Sequence, residues 1–354
     1  MLLSVMKNSA LAAKVRAMTK TTLHRADYDA LIQLHSVPAV ASYLMENTRY
    51  QKSLQNVSPS TLHRGQLEQL LKTQIAQDVM ALLHYTDMDS TFFLKALEMQ
   101  EGIETLKVFL RLLHIGHPEQ IALQAQDIRI GKDSIKMSDL AEIRSFSGFL
   151  ELIRSTPYYA VFRTFADDPR RQELFYLEVA LDSYWAKLIC RYAKKYLSDE
   201  DTKLALKVYG TEIDLDNLIF LLRCKERFQM DDEEIYACVI PSYYRLTPAA
   251  ITEIVSAPTI GAALKLIAER TPYGDAFSES DRFFEKRKND YMARLNRRIY
   301  ANHPYSLQAA ISYAHLRHIE INNIVSIIEG IRYGLPPDAI LSHLVGYAEG
   351  GPQS

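Results

Sequence analysis

The segment Leu174-Phe175-Tyr176-Leu177-Glu178-Val179-Ala180-Leu181-Asp182-Ser183-Tyr184-Trp185-Ala186-Lys187-Leu188-Ile189-Cys190-Arg191-Tyr192 decides the fold class. Its apolar residues Leu174, Leu177, Leu181, Tyr184, Leu188 and Tyr192 recur three and four apart, with Trp185 and Ile189 beside them. That spacing draws one stripe down a helix and has the heptad-like period of packed bundles. The same pattern appears in Leu67, Leu71, Ile75, Val79 and Leu82. A more polar version keeps Phe284, Tyr291, Leu295 and Ile299 on one face. No run sustains the period of two that a half-buried strand requires. The chain has only 13 glycines and 13 prolines in 354 residues, fewer turn formers than strand-rich proteins use. An all-α fold is expected.

Working outward from that helix, three segments share one order of elements. Ser36, Ser145 and Ser256 come first, 109 and 111 residues apart. Thr48-Arg49-Tyr50, Thr156-Pro157-Tyr158 and Thr271-Pro272-Tyr273 come next, and a long helix follows each. The third element is Ile103-Glu104-Thr105-Leu106 running to Arg111, then Asp214-Leu215-Asp216-Asn217-Leu218 running to Arg223, then Glu320-Ile321-Asn322-Asn323-Ile324. Breakers fall in register after each final helix: Gly116 with Pro118, Pro241 with Pro248, Gly334 with Pro336 and Pro337. They suit helix C-termini and the first turn of the next helix, with Thr247 placed to cap before Pro248. The expected organisation is three similar helical bundles, at 1–130, 131–246 and 247–354. Units of this size suit a compact three-lobed body better than a solenoid of short repeats. Asp214 with Asn217, and Glu320 with Asn323, are expected to cap the apolar helix that follows them. Thr105 stands in the asparagine position of the first repeat, and Glu104 is out of register with Asp214 and Glu320.

Chemistry is harder to find. Nucleotide-binding loops, nucleophile elbows and zinc-protease signatures are missing, and no two carboxylates stand out as an acid–base pair. His114 and His117, like His315 and His318, are spaced for a helix face but lack a third metal ligand, so solvated surface is the expectation. Cys190, Cys224 and Cys238 form no ligand pair and read as buried reduced thiols. No catalytic, cofactor or metal residue is expected in this chain. A net charge of −2 supplies no field for nucleic acid. No signal-peptide core and no spanning segment is apparent, so any link to a membrane is expected to run through a protein partner. Asp231-Asp232-Glu233-Glu234 reads as a loop leading into a helix N-terminus, where acids suit the dipole. The segment Asp281 to Arg298 carries seven cations against three acids. Its residues Arg282, Lys286, Arg287, Arg294, Arg297 and Arg298 are the candidate partner-binding face, the alternative being a solvated helix with i,i+4 pairs. Composition and period alone stop at a helical scaffold or coupling protein.

The repeated elements carry a resemblance further. Ala13-Lys14-Val15-Arg16-Ala17-Met18 with Thr48-Arg49-Tyr50 resembles the N-terminal signature of the C/d family of V-type and archaeal-type ATPase subunits. Asp214 to Leu218, through Arg223 and Lys225, is similar to its central motif. Glu320-Ile321-Asn322-Asn323-Ile324, then Ile328-Glu329-Gly330-Ile331-Arg332-Tyr333-Gly334-Leu335-Pro336-Pro337, is the most specific part of the match. The resemblance implies three all-helical domains around a pseudo-three-fold axis, forming a funnel on the cytoplasmic face of a membrane proteolipid ring. It implies a rotor subunit that receives the central shaft and serves ATP-linked proton or sodium transport. Catalytic sites would then lie on other subunits, and this chain would be peripheral to the membrane. The basic segment would face either shaft or ring. A general helical scaffold outside any rotary ATPase is the competing class.

Overall fold

The computed structural model describes residues 2–59, 62, 64–123, 127–130, 133–166, 173–227, 230–241, 243–277 and 283–347. The described chain is all-α. It opens with α1 (Leu2–Thr19), α2 (Arg25–Leu31), α3 (Val37–Asn47), α4 (Gln51–Leu54) and α5 (Arg64–Leu83). Next come α6 (Met88–His114), α7 (Met137–Glu142), α8 (Phe146–Leu152), α9 (Tyr159–Phe162), α10 (Leu174–Tyr196) and α11 (Asp199–Arg227). After these run α12 (Asp232–Cys238), α13 (Pro248–Val255) and α14 (Ile260–Arg270). The chain ends in α15 (Phe284–Asn302), α16 (Leu307–Arg332) and α17 (Pro337–His343). One small departure is a hairpin of β1 (Ile128–Ile130) and β2 (Asp133–Ile135), with Ile128 opposite Ile135. Three-residue strands are too short to leave a period in the sequence.

The helices gather into two compact units. One joins residues 1–87 to 275–354, and the other comprises 88–274. The repeat boundaries read from the sequence, after 130 and after 246, both fall inside the second unit.

In the first unit α16 packs against α1, α5, α15 and α17. Its stripe Ile324, Ile327 and Ile328 is buried with Leu67, Leu71 and Ile75 of α5 and Val40, Ala41 and Leu44 of α3. Each Ile, Leu or Val among them contributes about 1.5–3 kcal/mol by leaving water. Gly330 is required by close approach, since a Cβ there would stand 2.5 Å from Cγ1 of Ile340 on α17. In the second unit α10 lies between α6 and α11. Leu177, Leu181, Trp185, Leu188 and Ile189 are buried, as the stripe requires. Phe109, Phe149 and Phe162 form a cluster with ring centroids 5.3 Å apart in each successive pair.

Local chemistry sets the helix ends. Ser36 and Ser145 are N-caps, each accepting a backbone N–H three residues on at 3.2 Å. Ahead of the third Thr-x-Tyr element the cap is Thr259, which accepts from Ala262 at 3.1 Å. Ser256, read from sequence as its counterpart, instead ends α13. Aligning on Ser256 took the wrong hydroxyl three residues early. Thr247 caps α13 ahead of Pro248 as expected. Asp231 and Glu234 form a reciprocal capping box at the start of α12. Gly116 and Gly334 adopt φ of 81° and 65°, and both close Schellman turns. His117 donates to Leu112 at 2.8 Å in the first, and Leu335 to Gly330 at 2.9 Å in the second.

Candidate functional site

The repeated Thr-x-Tyr elements build one geometry three times. The threonine hydroxyl donates back to its own helix: Thr48 to Leu44, Thr156 to Ile153 and Thr271 to Ile267, at 2.5, 2.7 and 2.7 Å. This turns the chain and drives the tyrosine inward. Tyr50, Tyr158 and Tyr273 are all at most 1% exposed. A buried phenol must find an acceptor or carry the cost of desolvation.

In the second unit Tyr273 donates to Oδ2 of Asp214 at 2.6 Å. The same carboxylate accepts the backbone N–H groups of Tyr244, Arg245 and Leu246 at 3.0, 2.6 and 2.9 Å. One turn along, Asn217 brackets Ile240, accepting its N–H at 2.8 Å and donating to its carbonyl at 3.0 Å. The first unit repeats this on α16. Tyr50 donates to Oε1 of Glu320 at 2.8 Å, and Leu23 N–H donates to Oε2 at 3.0 Å. Asn323 brackets Val345 at 2.9 and 3.0 Å. The expectation that these residues cap a following helix is therefore wrong. Asp214 and Asn217 lie in the middle of α11, and Glu320 and Asn323 in the middle of α16. Asp214, Asn217 and Asn323 hold loops 22–32 residues downstream, Glu320 holds Leu23 far upstream, and each acid also holds a tyrosine, because mid-helix backbone N–H groups already have partners.

The element at Thr105 has no acid. The position equivalent to Asp214 and Glu320, three residues before Thr105, is Gly102. Tyr158 still points at it, its hydroxyl 3.3 Å from where a Cβ would stand, but has no hydrogen-bond partner among the described residues. Cγ2 of Ile128 on β1 fills the space at 2.8 Å. Thr105, in the asparagine position, donates to Glu101 of its own helix at 2.9 Å. Burial raises the Tyr158 hydroxyl pKa, with Tyr184 adding to the shift.

The α16 junction also buries charge. Arg317, fully buried, pairs with Glu320, donates to the Tyr50 hydroxyl at 2.9 Å and lies 3.8 Å from Asp78. Arg49 pairs with Asp78 at 2.6 Å and donates to Tyr313 at 2.9 Å. Two cations thus meet two carboxylates. Burial opposes the Arg317 charge, yet Glu320 and the two tyrosines raise its pKa overall. The same burial, with Glu320 beside it, holds the Tyr50 hydroxyl well above its ordinary value. Sequence reading singled out neither Asp78 nor Arg317. Their only local signal is a charge beside an apolar stripe.

The basic segment proves mixed. Arg282 lies outside the described residues. On α15, Lys286 pairs with Asp290 at 2.8 Å, and Asp290 also accepts Gly346 N–H at 2.7 Å. Arg297 reaches the Gly346 carbonyl at 3.5 Å, and Arg294 sits 5.6 Å from the Tyr291 ring centre. Arg287 is half-buried, whereas Arg298 is exposed. Lys225, in the central motif, donates to the carbonyls of Val255 and Ala257 at 2.5 and 2.6 Å, closing the end of α13. His315 is half-buried and His318 exposed, while Cys224 and Cys238 are buried and Cys190 is half-buried. Among the described residues no three of His, Cys, Asp and Glu converge on a common point. No described helix is long and apolar enough to cross a membrane.

Fold and junctions together define a class: an all-helical protein in which buried acids and tyrosines tie helices far apart in sequence. The family model described as ATP synthase (C/AC39) subunit matches residues 11–343. The chain belongs to that family. It is 22% identical to the C subunit of the A-type ATP synthase of Methanocaldococcus jannaschii, over 94% of this chain and 85% of that protein. It is 24% identical to the corresponding A-type C subunit of Methanosarcina barkeri, covering 94% of this chain and 91% of the relative. With that of Archaeoglobus fulgidus the identity is also 24%, over 95% of both chains.

Proposed function

We propose that this chain is a non-catalytic rotor subunit of a V-type or A-type rotary ATPase, joining the central shaft to the membrane proteolipid ring. The observation that carries the reading is the family match from residue 11 to residue 343, with relatives named as the C subunit of A-type ATP synthases that align over almost their whole length. Such a subunit serves ATP-linked proton or sodium transport from the cytoplasmic face, peripheral to the membrane, with the catalytic sites on other subunits. Torque transmission needs a body that does not yield. Junctions in which buried carboxylates hold tyrosines and loops suit that demand, because breaking one leaves buried charge without a partner.

The three repeats, 1–130, 131–246 and 247–354, are proposed to lie in a pseudo-three-fold arrangement. The pairing of the junctions supports it: Tyr273 of the third repeat meets the helix of the second, Tyr50 of the first meets that of the third, and Tyr158 of the second faces that of the first. The order closes on itself. Along the basic segment, Arg282, Arg287, Arg294 and Arg298 are the proposed contact residues for shaft or ring. Lys286 and Arg297 act more through their ties to Asp290 and Gly346. Co-purification with the shaft subunits and with the detergent-solubilised ring tests the role. Stable binding to both is expected, and binding to neither overturns it.

A further inference from the structure

A second basic face, on α10, is better prepared for a partner than the segment the sequence pointed to. Lys187, Arg191, Lys194 and Lys195 are exposed and stand at i, i+4, i+7 and i+8, one side of a helix. With Cys190 they line a shallow hollow of about 440 Å³. None of the four has an ion-pair partner among the described residues. That contrasts with Lys286 on α15, which Asp290 already neutralises. The helix dipole accounts for Lys194 and Lys195 in the last turn, but not for Lys187, more than two turns from the end. Beside the stripe, Phe92 of α6 stacks on Tyr196 with ring centroids 5.2 Å apart. Lys95 and Lys195 lie over the two rings at 5.4 and 4.9 Å. Phe92 is 38% exposed. The exposed ring of Phe92 adds aromatic area of the kind that protein contacts favour.

We infer that this face of α10 docks an acidic α-helix of a partner protein. Carboxylates at the same i, i+4, i+7 and i+8 spacing would meet the four cations, and apolar side chains would cover the Phe92–Tyr196 pair. An anionic membrane fits less well, because the apolar face of α10 is buried in its own core and has nothing to insert. The stripe spans about 12 Å of helix, at 1.5 Å per residue, which is short for a nucleic-acid track. The inference does not depend on which assembly the chain joins.

The test uses the full chain and a fluorescein-labelled alanine-based helix carrying glutamates at that spacing. Anisotropy should report binding that weakens as salt rises, and the glutamine version of the peptide should not bind. Lys187→Gln/Arg191→Gln/Lys194→Gln should weaken binding by about tenfold or more, with an unchanged urea midpoint showing that it folds. Lys52→Glu on α4 should leave binding unaltered. Bound peptide should also slow alkylation of Cys190. Equal binding by the triple variant overturns the inference. So does binding to phosphatidylglycerol vesicles but not to the peptide, which would make the face a membrane contact. Loss of a dimer in the triple variant, with no peptide binding, would make a second copy of the chain the occupant and would also overturn it.

Discussion

Replacing each junction tyrosine by phenylalanine removes one hydroxyl from three equivalent buried positions and leaves the ring in place. At Tyr273 the lost donor served Asp214, which keeps three backbone N–H donors. A hydrogen bond to a charged group contributes about 1.5–3 kcal/mol, and the remaining donors put Tyr273→Phe near the lower end. At Tyr50 the hydroxyl both donates to Glu320 and accepts from Arg317. Two charge-assisted bonds go at once, so Tyr50→Phe should cost about 2–3 kcal/mol. At Tyr158 the hydroxyl has no partner among the described residues, and burying an unpaired hydroxyl is itself unfavourable by about 1–3 kcal/mol. Tyr158→Phe should therefore be neutral or stabilising by up to about 1 kcal/mol. Urea unfolding followed by circular dichroism reads all three as shifts in midpoint at constant slope. A loss in Tyr158→Phe as large as in the other two would refute the claim that Gly102 has emptied this junction. Silence in Tyr50→Phe and Tyr273→Phe would refute the junctions altogether.

Arg317→Met tests the buried charge cluster: it leaves Glu320 without its cation, while Asp78 keeps Arg49, and should cost about 3–5 kcal/mol, seen in the same urea titration. An effect below about 1 kcal/mol would mean the cluster contributes little. The thiols should react in an order set by burial and ionisation. Burial pushes Cys224 up to about 12, with Cys238 adding to it, and pushes Cys238 up to about 11. A raised thiol pKa means less thiolate at any pH below it, so both should resist iodoacetamide near pH 8 until the chain unfolds. Cys190, half-buried, should alkylate first in mass-spectrometric mapping.

Much of the fold was legible because it rests on local signals. The α10 stripe, the cap at Thr247, and the glycine turns at Gly116 and Gly334 each depend on residues within one or two turns. The junctions were only half legible. Tyr50, Tyr273, Asp214, Asn217, Glu320 and Asn323 stood out by recurrence, but recurrence does not say what bonds to what. Glu320 and Tyr50 are 270 residues apart, and only the packed fold brings them together. Local reasoning therefore assigned the acids a capping role near their own position. The empty junction was hidden for another reason: with Gly102 in the acid position, the signal there is a missing side chain. The α10 face escaped notice because its cations lie on the back of a stripe read for its apolar side. The segment around Arg294 drew attention by charge count, which does not register that Asp290 and Gly346 already engage part of it.

The central claim is coupling, and the most direct measurement is ATP-driven ion uptake into vesicles reconstituted with the rotary complex, with and without this chain. ATP hydrolysis by the catalytic head should persist without it, uptake should be lost, and adding the purified chain should restore uptake. Undiminished uptake by a complex that lacks this chain would contradict the account.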